Sequence, residues 1–347
     1  MRKLFLILCG LWLVMISTTG LAQEKILNIY TWASYMPATV LKEFTQETGI
    51  TVRYSTFDNN QQLYTKLKAD PNIDYDIVMP TNYIVTRMTD EGMLKKLDHS
   101  KLPNMQYLEP SLLNRDYDPG NQYSLPYLWG TTALLVNTKV YSVNQVDSWK
   151  KLWHGDFEGQ VAMSDAARDV ISAAFLYLGY SINDQNPEHI KEAYLALKQF
   201  MPNIQSFVSD GSQQMYVNED ANIGMLGSGD ALSVIKENPS YQYIYPKEGA
   251  IIWIDNMAIA RGAKHTENAY QFMNFVMRPD IAKEISLTVG YASPNRAAKA
   301  LMPKDMQNNP ILYPPKSILQ HGQIESAVST KTNALYLKYW ELLKLGG

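Results

Sequence analysis

Residues 26–79 alternate between two hydrophobic periods, and few architectures accept that pattern. Residues 26–30 read as a buried strand. Residues 37–47 carry Val40, Leu41 and Phe44 at helical spacing, with Pro37 placed to open the helix and Gly49 to end it. Residues 50–54 alternate as a second strand. Leu63, Tyr64 and Leu67 mark a second helix face, and residues 75–79 form a third strand stopped by Pro80. Strand–helix–strand–helix–strand order predicts parallel strands joined by crossovers, with helices on the faces of the sheet.

The pattern returns after Trp129. Residues 160–163 read as a strand, and Ser164 or Asp165 is placed to cap a helix running through Leu178. A helix over 188–200, a strand over 203–208, a helical turn over 212–217 and a strand over 221–226 follow. A further helix starts at Asp230. A chain of 347 residues can bury two cores. Apolar stretches at 127–138 and 251–260 bracket the second set and are expected to be crossover strands. The expected division is a first lobe of 23–131 and 254–301 and a second of 132–253 and 302–347. The tail beyond Met302 packs back on the second lobe.

The first 22 residues are of another kind. Arg2 and Lys3 precede an apolar run from Leu4 to Ile16, and Gly20-Leu21-Ala22 supplies small residues for cleavage after Ala22, so 1–22 read as a signal peptide. The run is shorter than the roughly 20 residues a bilayer needs, which argues against an uncleaved anchor. Cleavage removes Arg2 and Lys3 and no acid, so the formal charge goes from −3 to −5. It also removes Cys9, the single cysteine, leaving no disulfide and no thiol nucleophile. These features point to the bacterial periplasm. The acidic balance, with no long basic run, argues against nucleic acid as a partner.

Open parallel sheets bind ligands beyond the carboxyl ends of their strands. Trp32 and Tyr35 follow the first strand, and Thr81 and Tyr83 the third. Asp169 follows the strand at 160–163, and Asp230 follows that at 221–226. Trp253 and Asp255 lie on the returning crossover, and Tyr291 follows a late helix. Brought together, they make a cleft of ring faces and carboxylates, which suits an organic cation. Carboxylates pair with ammonium groups, and ring faces attract cations and cover methylenes. Taken singly, each has a plainer role: the tryptophans as core, Asp169 as a helix-dipole partner, Asp230 as an N-cap. Asp255, between apolar residues, needs a partner. Catalytic motifs are lacking. The five histidines have no metal spacing, and Leu226-Gly227-Ser228-Gly229-Asp230 is neither a nucleophile elbow nor a dinucleotide fingerprint. An acid pair for glycoside hydrolysis stays open as an alternative. No cofactor is implied.

The chain resembles the periplasmic spermidine/putrescine-binding proteins of bacterial polyamine ABC transporters. The resemblance rests on NIYTWASYMP, FTQETGITVRYSTFDNN, DYDIVMPTNYIV, SLPYLWGTTALLVN, YPKEGAIIWIDNMAI and VGYASPN, which together span nearly all of the chain after the signal peptide. It implies two α/β lobes closing on a ligand, a membrane permease as partner, a monomer and no enzymatic activity. Trp32, Tyr35, Thr81, Tyr83, Trp253, Asp255 and Tyr291 match its ligand-binding positions, and Glu325 falls near one that carries a polar amide. Spermidine-preferring members have two acids where this chain reads SDAARDV; Ala166 stands at the first and Asp169 at the second. They also have a tryptophan where Gly227 stands, so one wall is expected to be missing. Asp230 matches an aspartate of putrescine-binding members, and Ser34 replaces an acid found in some spermidine binders. The resemblance therefore implies putrescine or spermidine as ligand. Ferric ion held by tyrosines, or a polyamine sensor, are the neighbouring alternatives.

Overall fold

The structure is a computed structural model and describes residues 25–208 and 212–346. The expected signal peptide, 1–22, lies outside the described residues. Among the described residues no helix is long and apolar enough to cross a membrane.

Among the described residues ten strands form one hydrogen-bonded sheet: β1 Ile26–Trp32, β2 Thr51–Phe57, β3 Ile77–Val78, β4 Ser124–Asn137, β5 Val161–Ser164, β6 Ile204–Val208, β7 Ile223–Gly227, β8 Tyr241–Ile244, β9 Ile251–Ile259 and β10 Gln323–Ile324. Their order is β2-β1-β3-β9-β4-β7-β5-β6, with β8 on β4 and β10 on β9. β2, β1 and β3 are parallel, as are β7, β5 and β6. Between these sets run β9 and β4, antiparallel to each other and to the sets they border. This is a two-lobe α/β fold with two long shared strands. The crossovers expected at 127–138 and 251–260 are β4 and β9.

Each parallel set is covered on both faces, as crossovers require. On one face of β1, Leu27 and Ile29 pack with Val40, Phe44 and Phe272; on the other, Tyr30 meets Phe57, Leu63 and Met88. In the second set, Leu134, Val136, Trp149, Val161 and Phe175 share one core, and Leu135, Tyr216, Leu226 and Tyr241 another. The last helix, Thr330–Lys344, adds Tyr336, Trp340 and Leu343 to the second set, as expected of the tail.

Local departures have identifiable causes. The strand expected over 75–79 narrows to Ile77–Val78, because the Asn28 backbone N–H goes to the Asp76 side chain instead of a backbone carbonyl. Asp76 also accepts from the backbones of Lys264 and His265 and pairs with the His265 ring, clasping the two segments. Neither Ser164 nor Asp165 caps the following helix, Ala167–Leu178. Its N-cap is Ala166, while Ser164 donates to Asp169 and Asp165 pairs with Lys344. The helix expected from Asp230 begins at Ser228, with Gly227 as N-cap, so Asp230 is not a cap. Gly49 ends the first helix, Ala38–Thr48, in a left-handed conformation (φ 72°) that glycine adopts without penalty. β10 was not anticipated; its two residues pair with Ile251 and Ile252 and bring Glu325 to the carboxyl end of a strand.

Candidate functional site

β9 alternates, so its residues divide between the two faces of the sheet. Trp253 and Asp255 project to one face. Ile252 and Ile254 line a cavity of about 290 Å³ on the other, with Trp129, Lys299 and Tyr313. That cavity presents Lys299 over the Tyr313 ring, with Arg296 and Glu109 at its wall. The acids gather on the Asp255 face.

Asp255 is buried, and both its oxygens are held by hydroxyls. Tyr35 donates to one at 2.5 Å and Thr81 to the other at 2.6 Å. It forms no ion pair among the described residues. Thr81 is the N-cap of the helix Asn82–Asp90, yet its side chain does not cap. Its hydroxyl donates to Asp255 and accepts from Asn60 Nδ2 at 2.9 Å, while Asn60 Oδ1 accepts the Thr81 N–H. Tyr35 follows a turn that passes through Ser34 in the left-handed region (φ 55°), and its carbonyl accepts from the Tyr127 hydroxyl. Burial pushes the Asp255 carboxyl up to about 6, against the two hydroxyls, with nearby Asp169 adding to the rise. A shift of this size means that the lone anion is disfavoured by roughly 3 kcal/mol.

Around Asp255 stand the rings. Trp253 donates its indole N–H to Thr132 and packs edge-on to Tyr291, with centroids 5.0 Å apart. Tyr291 also lies 5.9 Å from Tyr35. Trp32 packs on Phe57 and donates its N–H to the Met79 carbonyl. Gly130 faces Trp253 across the β4–β9 ladder, where a Cβ would come within 2.7 Å of the indole. Room for Trp253 thus depends on that glycine.

The remaining acids fall into two places. Asp169, in the first turn of its helix, accepts from Ser164 at 2.8 Å and is raised by burial, with Ser164 and Arg168 opposing. Glu325 is buried and lies 3.4 Å from Arg168 Nε; burial pushes it up to about 8, Arg168 opposes, and Asp169 and Asp255 add to the rise. Tyr83 is near this group, its ring under the Arg168 guanidinium at 5.5 Å, and burial first, then Glu325 and Asp169, raise its phenol. Asp230 lies elsewhere. It accepts from Gln213 at 2.6 Å; burial raises it, with Tyr291 and Gln213 opposing.

The structure thus links Tyr35, Thr81, Trp253, Tyr291 and Asp255 by direct contact, and sets Asp169, Tyr83 and Glu325 within electrostatic reach of them, with Asp230 within electrostatic reach of Tyr291. Trp32 borders the site through β3. At Gly227, where a wall was expected to be missing, a Cβ would sit 2.6 Å from the Tyr291 hydroxyl. Sequence reading passed over Arg168, Asn60, Thr132 and Gln213. The adjacent Arg168-Asp169 pair was the available signal for the first; the others are ordinary polar residues that only the fold brings near.

Comparison with known proteins gives a consistent set of likenesses. The family described as bacterial extracellular solute-binding protein matches residues 39–314. The spermidine/putrescine-binding periplasmic protein of Escherichia coli (strain K12) is 40% identical over 320 residues, which cover 92% of this chain and 92% of that protein. A putrescine-binding periplasmic protein of the same organism is 32% identical over 348 residues, covering 94% and 93%. Among solved structures, a Listeria monocytogenes chain has a TM-score of 0.89 at 33% identity and covers 92% of this chain and 99% of its own length. A spermidine/putrescine ABC transporter substrate-binding protein from Streptococcus pneumoniae has a TM-score of 0.79 at 33% identity with the same coverage.

Proposed function

Since the chain belongs to the bacterial extracellular solute-binding protein family, we propose that it captures a polyamine, putrescine or spermidine, between its two lobes and delivers it to an ABC transporter. The observation that carries this reading is Asp255: a buried carboxylate with both oxygens oriented by hydroxyls, walled by aromatic rings and given no cation among the described residues. An alkylammonium supplies the missing charge, and the rings cover its methylenes. Arg168 offsets Glu325, leaving Asp255 and Asp169 for the two ends of a diammonium. Trp32, Tyr35, Thr81, Tyr83, Trp253 and Tyr291 are the other residues we assign to the ligand site.

The lobe boundaries we propose are 23–131 with 254–301, and 132–253 with 302–347. The division of the buried cores supports them, since Leu128 and Ile254 belong to one side and Leu134 and Ile251 to the other. Ligand bridging both lobes favours the closed form by its differential affinity, and bending falls to β4 and β9. The closed protein, a periplasmic monomer exported by its signal peptide, docks on inner-membrane permease subunits. It carries out no reaction.

Thermal denaturation with putrescine, spermidine or ferric citrate tests the cargo. Ligand at 100 times its Kd stabilises by about 2.7 kcal/mol, a readily measured rise in Tm. A rise with either polyamine and none with iron is expected. A rise with iron alone, with a tyrosinate–iron absorption band, would replace this reading.

A further inference from the structure

The cavity behind the cleft shares its strands with the cleft. On β9, Trp253 and Asp255 face the cleft, and Ile252 and Ile254 face the cavity. On β10, Ile324 lines the cavity, and the next residue, Glu325, lies within electrostatic reach of Asp255. Trp129, paired with Ile254 across the ladder, brings β4 to the same chamber. The cavity also spans the proposed division between the lobes. Leu112 and Lys299 come from the first, and Ile252, Tyr313, Leu319 and Ile324 from the second. An engineered cavity of about 150 Å³ takes benzene, so one of about 290 Å³ has room for a ring with a short side chain.

The walls are mostly apolar, and one charge in them lacks a counter-ion. The half-buried Lys299 holds its ammonium 3.9 Å from the centroid of the Tyr313 ring. It forms no ion pair among the described residues. Burial pushes that ammonium down, and Glu109 opposes the fall. Glu109, the acid of the lining, is itself faced by the Ser111 hydroxyl at 3.4 Å and the Ser111 backbone N–H at 3.5 Å. Arg296, the other cation of the wall, donates to the Gln106 carbonyl at 3.1 Å. An ammonium drawn partly out of water beside an empty apolar chamber is complementary to an anion with an apolar body.

We propose that this cavity is a second ligand site, for a small amphipathic carboxylate whose body packs on Trp129, Ile252 and Ile254 and whose carboxylate meets Lys299, and that its occupancy strengthens capture in the cleft. The direction of the coupling follows from the lobes. The cavity is present in an arrangement where the two halves touch at the cleft, with Arg168 of one over the Tyr83 ring of the other at 5.5 Å. A molecule that fills a chamber lined by both halves favours the arrangement that shapes it. Polyamine bound between the same halves favours it too, and coupling of this kind is reciprocal. The cavity site stands apart from the cargo, while the coupling rests on the polyamine reading.

The test is a calorimetric titration of the full chain with phenylpropionate. Phenylpropanol serves as the uncharged counterpart and acetate as the charge without the body. One-to-one binding of phenylpropionate is expected, with both controls weaker by about 10-fold or more. Lys299→Met keeps the stem and removes the charge, and Leu319→Trp fills the chamber from the helix Lys316–His321. Each should weaken phenylpropionate by about 10-fold or more. Saturating phenylpropionate should tighten the polyamine Kd of the wild type about 5-fold. Lys299→Met should keep the wild-type polyamine Kd without phenylpropionate and show no tightening with it. The inference is overturned if phenylpropionate does not bind, if phenylpropanol or acetate binds as tightly, or if either variant binds phenylpropionate as the wild type does. An unchanged or weakened polyamine Kd in its presence overturns the coupling. A wild type that binds phenylpropionate and no polyamine is a separate result: it removes the polyamine reading and the coupling with it, and supports the cavity site.

Discussion

Asp255 combines two conditions that conflict until a cation arrives. Burial raises its proton affinity, while the Tyr35 and Thr81 hydroxyls are aimed at its ionised form. Replacing it with asparagine keeps the shape and removes the charge, so Asp255→Asn should lose about 2–5 kcal/mol of polyamine affinity. Calorimetry would show this as a rise in Kd with the Tm of the ligand-free protein not lowered, and unchanged affinity would remove Asp255 from the site. The same chemistry sets a pH dependence. Burial pushes the folded Asp255 carboxyl up to about 6, above its ordinary value. Between pH 4 and 6 the empty folded protein therefore holds a proton that the unfolded chain has released, and this group makes it less stable as pH rises. A bound ammonium expels that proton. Affinity should tighten from pH 5 to 8, and titrations in buffers of different ionisation enthalpy should report proton release; proton uptake would contradict the assignment. Trp253 and Asp255 stand out in the sequence within a mostly apolar strand, and Tyr291 directly after the glycine that ends a helix. Arg168 does not stand out in the sequence, because a buried cation in a cation site runs against the simplest charge argument; its contacts with Glu325, Asn183 and the Ser326 carbonyl hold it there.

Elements carry the site by alternation and by what they leave out. In β9 the two-residue period sends Trp253 and Asp255 into the cleft, and on facing β4 the indole has space because residue 130 is glycine. Gly130→Ala places a carbon within 2.7 Å of both the Trp253 ring and the Ser228 hydroxyl. Overpacking of this kind costs about 1–3 kcal/mol. We expect a lower Tm, shifted tryptophan emission and a polyamine Kd about 10-fold weaker; wild-type emission and affinity would show that the indole does not depend on this gap. The helical and strand periods located β1, β2, β5, β6, β7 and the helices Ala38–Thr48 and Pro187–Phe200 close to their observed places, but not β8, β10 or the helices Asn82–Asp90, Trp149–His154 and Thr330–Lys344. What periodicity could not supply was the reassignment of short polar side chains. Ser164 and Thr81 each stand where a helix begins, and each turns its hydroxyl to a carboxylate of the site in place of capping.

At the scale of the molecule, the two parallel sets are bridged by β4 and β9, so residues of both halves meet around one cleft. Asp255, Tyr35 and Thr81 come from the first half, and Asp169 and Asp230 from the second. The two-lobe plan was readable because βαβ alternation occurs twice with apolar crossovers between. The tail's return to β9 through Gln323 and Ile324, which delivers Glu325, was not, since two residues carry no periodic signal. Capture by charges on both lobes demands a ligand with separated ammonium groups. The direct measurement is a calorimetric titration of the full chain with putrescine, spermidine and the monoamine butylamine at neutral pH. Saturable one-to-one binding of at least one polyamine, with butylamine weaker by 100-fold or more, is the predicted result, the latter corresponding to about 2.7 kcal/mol for the second charge. No heat with either polyamine, or butylamine binding as tightly as putrescine, would contradict it.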